Sequence, residues 1–214
     1  MVLGGREFML GHFMSKELAL KDFREFCRAS QAFAKPCVPD EDNAASMYRD
    51  ETGWTIHRKR AWTSVLSLCH YDYIDFSITV GSETGTHASN RLIRTWIKHL
   101  SDFASTIDVV HARVAADWIL RKPSHLIDSA LALPGGEFVA YLADDREVTD
   151  PEAGHTISGD LSVRLPEGRY LASFYSPITG LYSPAIPVQG DPKEVTLHLP
   201  PIEQDIVLVV QREP

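Results

Sequence analysis

Three consecutive carboxylates, Asp40, Glu41 and Asp42, follow a short extended stretch, Lys35-Pro36-Cys37-Val38-Pro39. Carboxylates do two jobs in hydrolysis: one gives or takes a proton, and the other attacks an electrophilic carbon. Placed on either side of a glycosidic bond, a pair does both. Glu41, ionised at neutral pH, suits the nucleophile's role toward an anomeric carbon. Asp40 stands beside it, and Tyr48, Trp54 and Arg58 follow. Aromatic faces stack on sugar rings, and a guanidinium orients a carboxylate. Downstream, Asp72 and Asp75 lie in an alternating run, His70 to Ile78. Three positions apart, they face opposite sides of a strand, so at most one points into a site. The candidate substrate-binding set is thus Asp40, Tyr48, Trp54, Arg58, Asp72 and Asp75. Three adjacent acids also fit a solvated loop turning at Asn43.

Such groups need a scaffold. A β/α barrel carries its active groups at the C-terminal ends of its strands. Here the pattern predicts helix, strand, helix, strand, helix over residues 1–121. The first helix covers Glu17 to Phe33, with Ser15 as its cap, and stops at Pro36. The acidic loop runs to about Thr55. A second helix covers Ile56 to Cys69, with Ala61, Trp62, Val65, Leu66 and Leu68 on its apolar side. The third covers Arg91 to Ser105, with Leu92, Trp96, Ile97, Leu100 and Phe103 on one face. This is the grammar of parallel β/α units. After Pro123 the pattern changes to short strands separated by Pro/Gly turns such as Pro134-Gly135-Gly136 and Pro166-Glu167-Gly168. That composition predicts an antiparallel β-sandwich over residues 122–214. The fold class expected is α/β plus all-β.

The length of 214 residues suits two domains of about 100 residues each. A net charge of −8 argues against a nucleic-acid partner. Only Arg58-Lys59-Arg60 clusters, and the triplet reads as a solvated helical turn. No apolar run reaches the ~18 residues of a membrane span. The opening MVLGGREFML, broken by Arg6 and Glu7, does not read as a signal peptide, and the localisation stays open. Cys27, Cys37 and Cys69 are odd in number and widely spaced, so they read as buried thiols rather than a disulfide framework or a zinc site. No metal or cofactor is expected.

Two stretches, KPCVPDED and RKRAWTSVLSLCHYDYIDFSI, resemble the last two β/α units of DUF4038-like or apiosidase-like (β/α)8-barrel glycoside hydrolases. The tail, through GGEFVAYLADD, LPEGRYLASFYSPITGLYS and IVLVVQRE, is similar to the β-sandwich, named for collagen binding, that follows such barrels. The resemblance implies that Glu41 is the nucleophile of a retaining mechanism. It also implies that six preceding β/α units and the acid/base Glu are absent. The segment after Glu41 departs from the family pattern, with Asp42-Asn43-Ala44-Ala45. The expectation is a C-terminal fragment of a glycoside hydrolase, inactive alone and partnered by the missing barrel segment or another chain. The alternative is a non-catalytic module that binds carbohydrate or protein. Two strands cannot close a barrel, so apolar surface is expected around Trp62, Val65 and Ile74.

Overall fold

The computed structural model describes residues 19–33, 35–39, 51–72, 88–146 and 149–213. Helix α1, Leu20–Ser30, buries Leu20, Phe23 and Cys27. These are spaced three and four residues apart, so they share one face. Ala19 precedes it without a side-chain cap, and Ser15 lies outside the described residues.

Helix α2, Glu51–Val65, starts five residues earlier than its apolar pattern suggests. It is buried on nearly every side. His57, Arg58, Lys59 and Arg60 are at most 5% exposed, which corrects the reading of a solvated basic triplet. The reason is position: α2 packs against α1, α3 and strand β4, and its cations have partners there. Helix α3, Ala88–Ala104, buries Ile93, Trp96, Leu100 and Phe103. Their spacing keeps them on one face, as the sequence pattern predicts. Among the described residues, no helix is long and apolar enough to cross a membrane.

Among the described residues, nine strands follow: β1 Arg113–Val114, β2 Ile119–Arg121, β3 Leu126–Leu133, β4 Glu137–Asp144, β5 Ile157–Val163, β6 Gly168–Tyr175, β7 Ile186–Gly190, β8 Val195–Ile202 and β9 Asp205–Arg212. One sheet has the order β1-β3-β4-β9-β6-β7, the other β2-β5-β8, and every pairing is antiparallel. Among the described residues, strand pairing therefore begins at Arg113, ahead of the composition change near Pro123. The chain is a mixed α/β protein with antiparallel sheets.

Alternation explains the apolar run Ile206-Val207-Leu208-Val209-Val210. Ile206, Leu208 and Val210 join Leu161, Val163 and Leu199 in a core shared by the two sheets. Val207 and Val209 face the other way and meet Ala61, Trp62, Leu100 and Phe103 of the helices. Both faces of β9 are covered, so its hydrophobic run is continuous. Gly135 and Gly136 turn the β3–β4 hairpin at φ 83° and 81°, a conformation open to glycine at little cost.

The six-stranded sheet also covers Trp62, which is 0% exposed. Its ring stacks on Tyr141 at 5.7 Å and meets Phe103 at 5.2 Å. The expected apolar surface at Trp62 is therefore absent, because the strand-rich half packs over it. Val65 is partly buried against the same cluster, and Ile74 lies outside the described residues.

Cys37 and Cys69 form a disulfide, with Cα atoms 4.7 Å apart. The reading of three buried thiols is corrected here: Cys27 alone stays outside a disulfide, and it is buried. Spacing along the chain could not show that the turns after α1 and α2 bring residues 37 and 69 together.

Candidate active-site segment

Residues 36–39, expected as a strand, are in no regular secondary structure and lead into the three acids. Asp40, Glu41, Tyr48 and Asp75 lie outside the described residues, and the segments that lead toward them are described next to α2. The Cys37–Cys69 bond ties this segment to the end of α2, and the His70 N–H donates to the Cys37 carbonyl at 2.8 Å. The Ser64 hydroxyl donates to the His70 carbonyl at 2.5 Å. Gln31 reaches from the end of α1 to the carbonyls of Ser67 and Leu68 at 3.2 and 3.0 Å. His57 shares a hydrogen bond of 3.2 Å with the Tyr71 hydroxyl. Two segments that precede the candidate acids, 35–39 and 69–72, are thus fixed side by side.

Trp54 and Asp72 are half-buried near the two ends of this arrangement, on α2 and after it. Arg58 is turned elsewhere. It is 1% exposed, and its Nε donates to the Asp205 carboxylate at 2.8 Å. Its guanidinium carbon lies 4.3 Å above the Trp96 ring, a cation–π arrangement. The Tyr141 hydroxyl donates to the same Asp205 oxygen at 2.7 Å. Burial, followed by the nearby Asp205 charge, holds the Tyr141 pKa well above its ordinary value, so the phenol stays a donor. Among the described residues, Asp205 Oδ1 and Arg58 Nη2 are buried without hydrogen-bond partners.

Two further aspartates join the halves. Lys59 Nζ donates to the Asp144 carbonyl at 3.0 Å, and the Asp144 carboxylate accepts from Arg146 Nε at 2.8 Å and Gly154 N–H at 3.0 Å. Asp128 on β3 is paired with Lys122 and with Arg28 of α1 at 3.3 Å, while Arg24 donates to its carbonyl at 2.9 Å. Burial works to raise the Asp128 pKa, but the Lys122 hydrogen bond and the charges of Lys122, Arg24 and Arg28 outweigh it and hold the carboxyl below its usual range. Reading the sequence missed Asp205, Asp128 and Asp144 as anchors. Each sits in or at the end of a strand with no local motif to mark it.

The chain aligns over 90% of its length with a glycoside hydrolase of family 5 from Bacteroides vulgatus, at a TM-score of 0.63 and 15% identity. A second solved structure described as a glycoside hydrolase aligns over the same share at a TM-score of 0.64 and 15% identity. The chain has a glycoside hydrolase-like fold. It spans less than half of those two proteins, 45% and 46% of their chains. No protein-family model matches the sequence, and no curated protein matches it. The glycoside hydrolase-like fold covers both the helical and the strand-rich halves, since nine-tenths of the chain aligns.

Proposed function

We propose that this chain supplies the closing part of a retaining glycoside hydrolase: two β/α units of a barrel and the β-sandwich behind them. The observation that carries the reading is the likeness over 90% of this chain to under half of a glycoside hydrolase. Glu41 attacks the anomeric carbon as a second carboxylic acid protonates the leaving oxygen. The glycosidic C–O bond breaks and a glycosyl-enzyme ester forms. Water then hydrolyses the ester, with the second carboxylate accepting its proton. In a retaining pair the carboxyl groups stand ~5–5.5 Å apart. The second group comes from the remaining barrel units, carried by a longer form of this chain or by another chain. Asp40, Tyr48, Trp54 and one of the pair Asp72 and Asp75 contact the sugar. Arg58 positions α2 on the sheet instead, because its guanidinium is committed to Asp205 and Trp96.

The test is a panel of aryl glycosides offered to this chain, to a form extended upstream, and to the extended form with Glu41→Gln. The proposal expects turnover by the extended form alone and a loss of 10³-fold or more with Glu41→Gln, about 4 kcal/mol of barrier. An extended form that keeps full activity after Glu41→Gln rules out the nucleophile assignment. Carbohydrate binding by this chain with no hydrolysis in any form supports the non-catalytic module instead.

A further inference from the structure

The sulfur atoms of Cys27, Cys37 and Cys69 all lie within 4.8 Å of one another. Two of them are bonded and the third sits beside the bond. They come from three elements: Cys27 from α1, Cys37 from the segment before the acids, and Cys69 from the turn after α2. All three are buried, at 0%, 7% and 4% exposure, in a pocket shared with Phe23, Phe26 and Tyr71. Cys69 Sγ lies 3.7 Å from the Cys27 carbonyl oxygen, so residues 27 and 69 are in contact before any exchange. Cys27 Sγ lies 4.0 Å from the Ser64 hydroxyl.

We propose that these three cysteines form an intramolecular thiol–disulfide exchange site with two bonded states, Cys37–Cys69 and Cys27–Cys69. The Cys27 thiol loses its proton during local opening of the cluster, and the thiolate attacks Cys69 Sγ. The Cys27–Cys69 bond forms as the Cys69–Cys37 bond breaks. The electron pair leaves on the Cys37 sulfur, which takes up a proton. One disulfide and one thiol stand on each side, so no oxidant or reductant is consumed. Burial excludes external thiols and peroxides from the pocket, and so favours the internal thiol as the attacking group.

The two states differ in what they hold. Cys37–Cys69 ties the segment preceding Asp40, Glu41 and Asp42 to the end of α2. Cys27–Cys69 ties α1 to the same place and leaves residue 37 held by the His70 N–H bond. Exchange therefore switches the covalent anchor of the acidic segment. That consequence rests on the role proposed for Glu41, whereas the exchange itself does not.

The test is a disulfide map of the full, oxidised chain. The protein is held at pH 6.5 and 7.5 without added thiol, quenched in acidic denaturant, labelled with a maleimide and digested. The proposal expects label on both Cys27 and Cys37, with a tenth or more on Cys37. It also expects Cys37 label to appear about tenfold faster at pH 7.5, following the thiolate fraction. Cys37→Ser should yield the Cys27–Cys69 cross-link on oxidation, and Cys27→Ser should show no migration. Label confined to Cys27 at both pH values over a day overturns the proposal, as does label on all three cysteines. The wild-type map decides alone if a variant does not fold, and it is indifferent to any glycosidase activity.

Discussion

The core between the two sheets and the interface between the helices and the six-stranded sheet are both buried, yet they are built differently. The first is almost wholly aliphatic and aromatic: Leu142, Leu161, Val163, Leu199 and Leu208, with Trp118 stacked on Phe138 at 5.0 Å. The second has an apolar layer around Trp62 but is also pinned by Arg58–Asp205, Lys59 on the Asp144 carbonyl, and Asp128 with three cations. An apolar core stabilises through area removed from water and tolerates volume-conserving exchanges of its side chains. A buried charge pair adds little net stability, because desolvation offsets its attraction, but it is intolerant of losing one member. The comparison teaches that the sheets supply stability, whereas the charged contacts specify how α1 and α2 sit on them. That seat is what places the segments leading to the candidate acids.

Breaking the charged contact from one side should have the largest effect. Asp205→Ala leaves the Arg58 guanidinium buried with no counter-charge and should cost about 3–5 kcal/mol in urea unfolding. The double change Arg58→Met with Asp205→Leu removes both charges and should recover most of that loss. If the double variant is as unstable as the single one, the interface depends on the pair for more than its seat. Next comes the inter-sheet core: Leu208→Ala should cost about 3 kcal/mol through lost burial and a residual cavity. Its effect should add to that of a change at the helix interface only if the two regions act independently.

A pH series sharpens the same contrast. The Asp128 pKa is lowered in the folded state, so its stabilising contribution is complete above the unfolded carboxylate value near 3.9 and is lost as pH falls below it. Urea midpoints should therefore drop below about pH 4, and Asp128→Asn should flatten that limb. The inter-sheet core, which carries no such group, should give no acid-sensitive share. The smallest effect is expected at Lys98 and Asp102, an exposed i,i+4 pair on α3. Lys98→Ala should shift stability by under about 0.5 kcal/mol, since exposed pairs are screened.

The strand-rich half was readable because alternation and turn residues both report local geometry. Alternating apolar residues mark strands near Leu126, Phe138, Leu161, Tyr170, Leu181, Val195 and Ile206, and all are present except that the one marked from Leu181 starts only at Ile186. The two that escaped, Arg113–Val114 and Ile119–Arg121, are too short to show a period of two. Helix α3 was equally legible, because one of its faces meets water. Helix α2 was not, since a helix covered on all sides has no polar stripe to betray its register, and its cations look like a solvent face. The burial of Arg58 and Lys59 depends on partners about one hundred and fifty and ninety residues away, at Asp205 and Asp144. The same distance in sequence hid the Cys37–Cys69 bond. Of the candidate site, sequence named the acids, and the fold added what anchors the segment before them.

The central claim is that Glu41 is a glycosidase nucleophile carried by this anchored segment. The most direct measurement is to treat the upstream-extended protein with 2-deoxy-2-fluoroglycosides bearing a good leaving group and map the trapped ester by peptide mass spectrometry. One sugar per chain is expected, attached at Glu41 and absent after Glu41→Gln. An active protein whose trapped sugar sits on another carboxylate would contradict it.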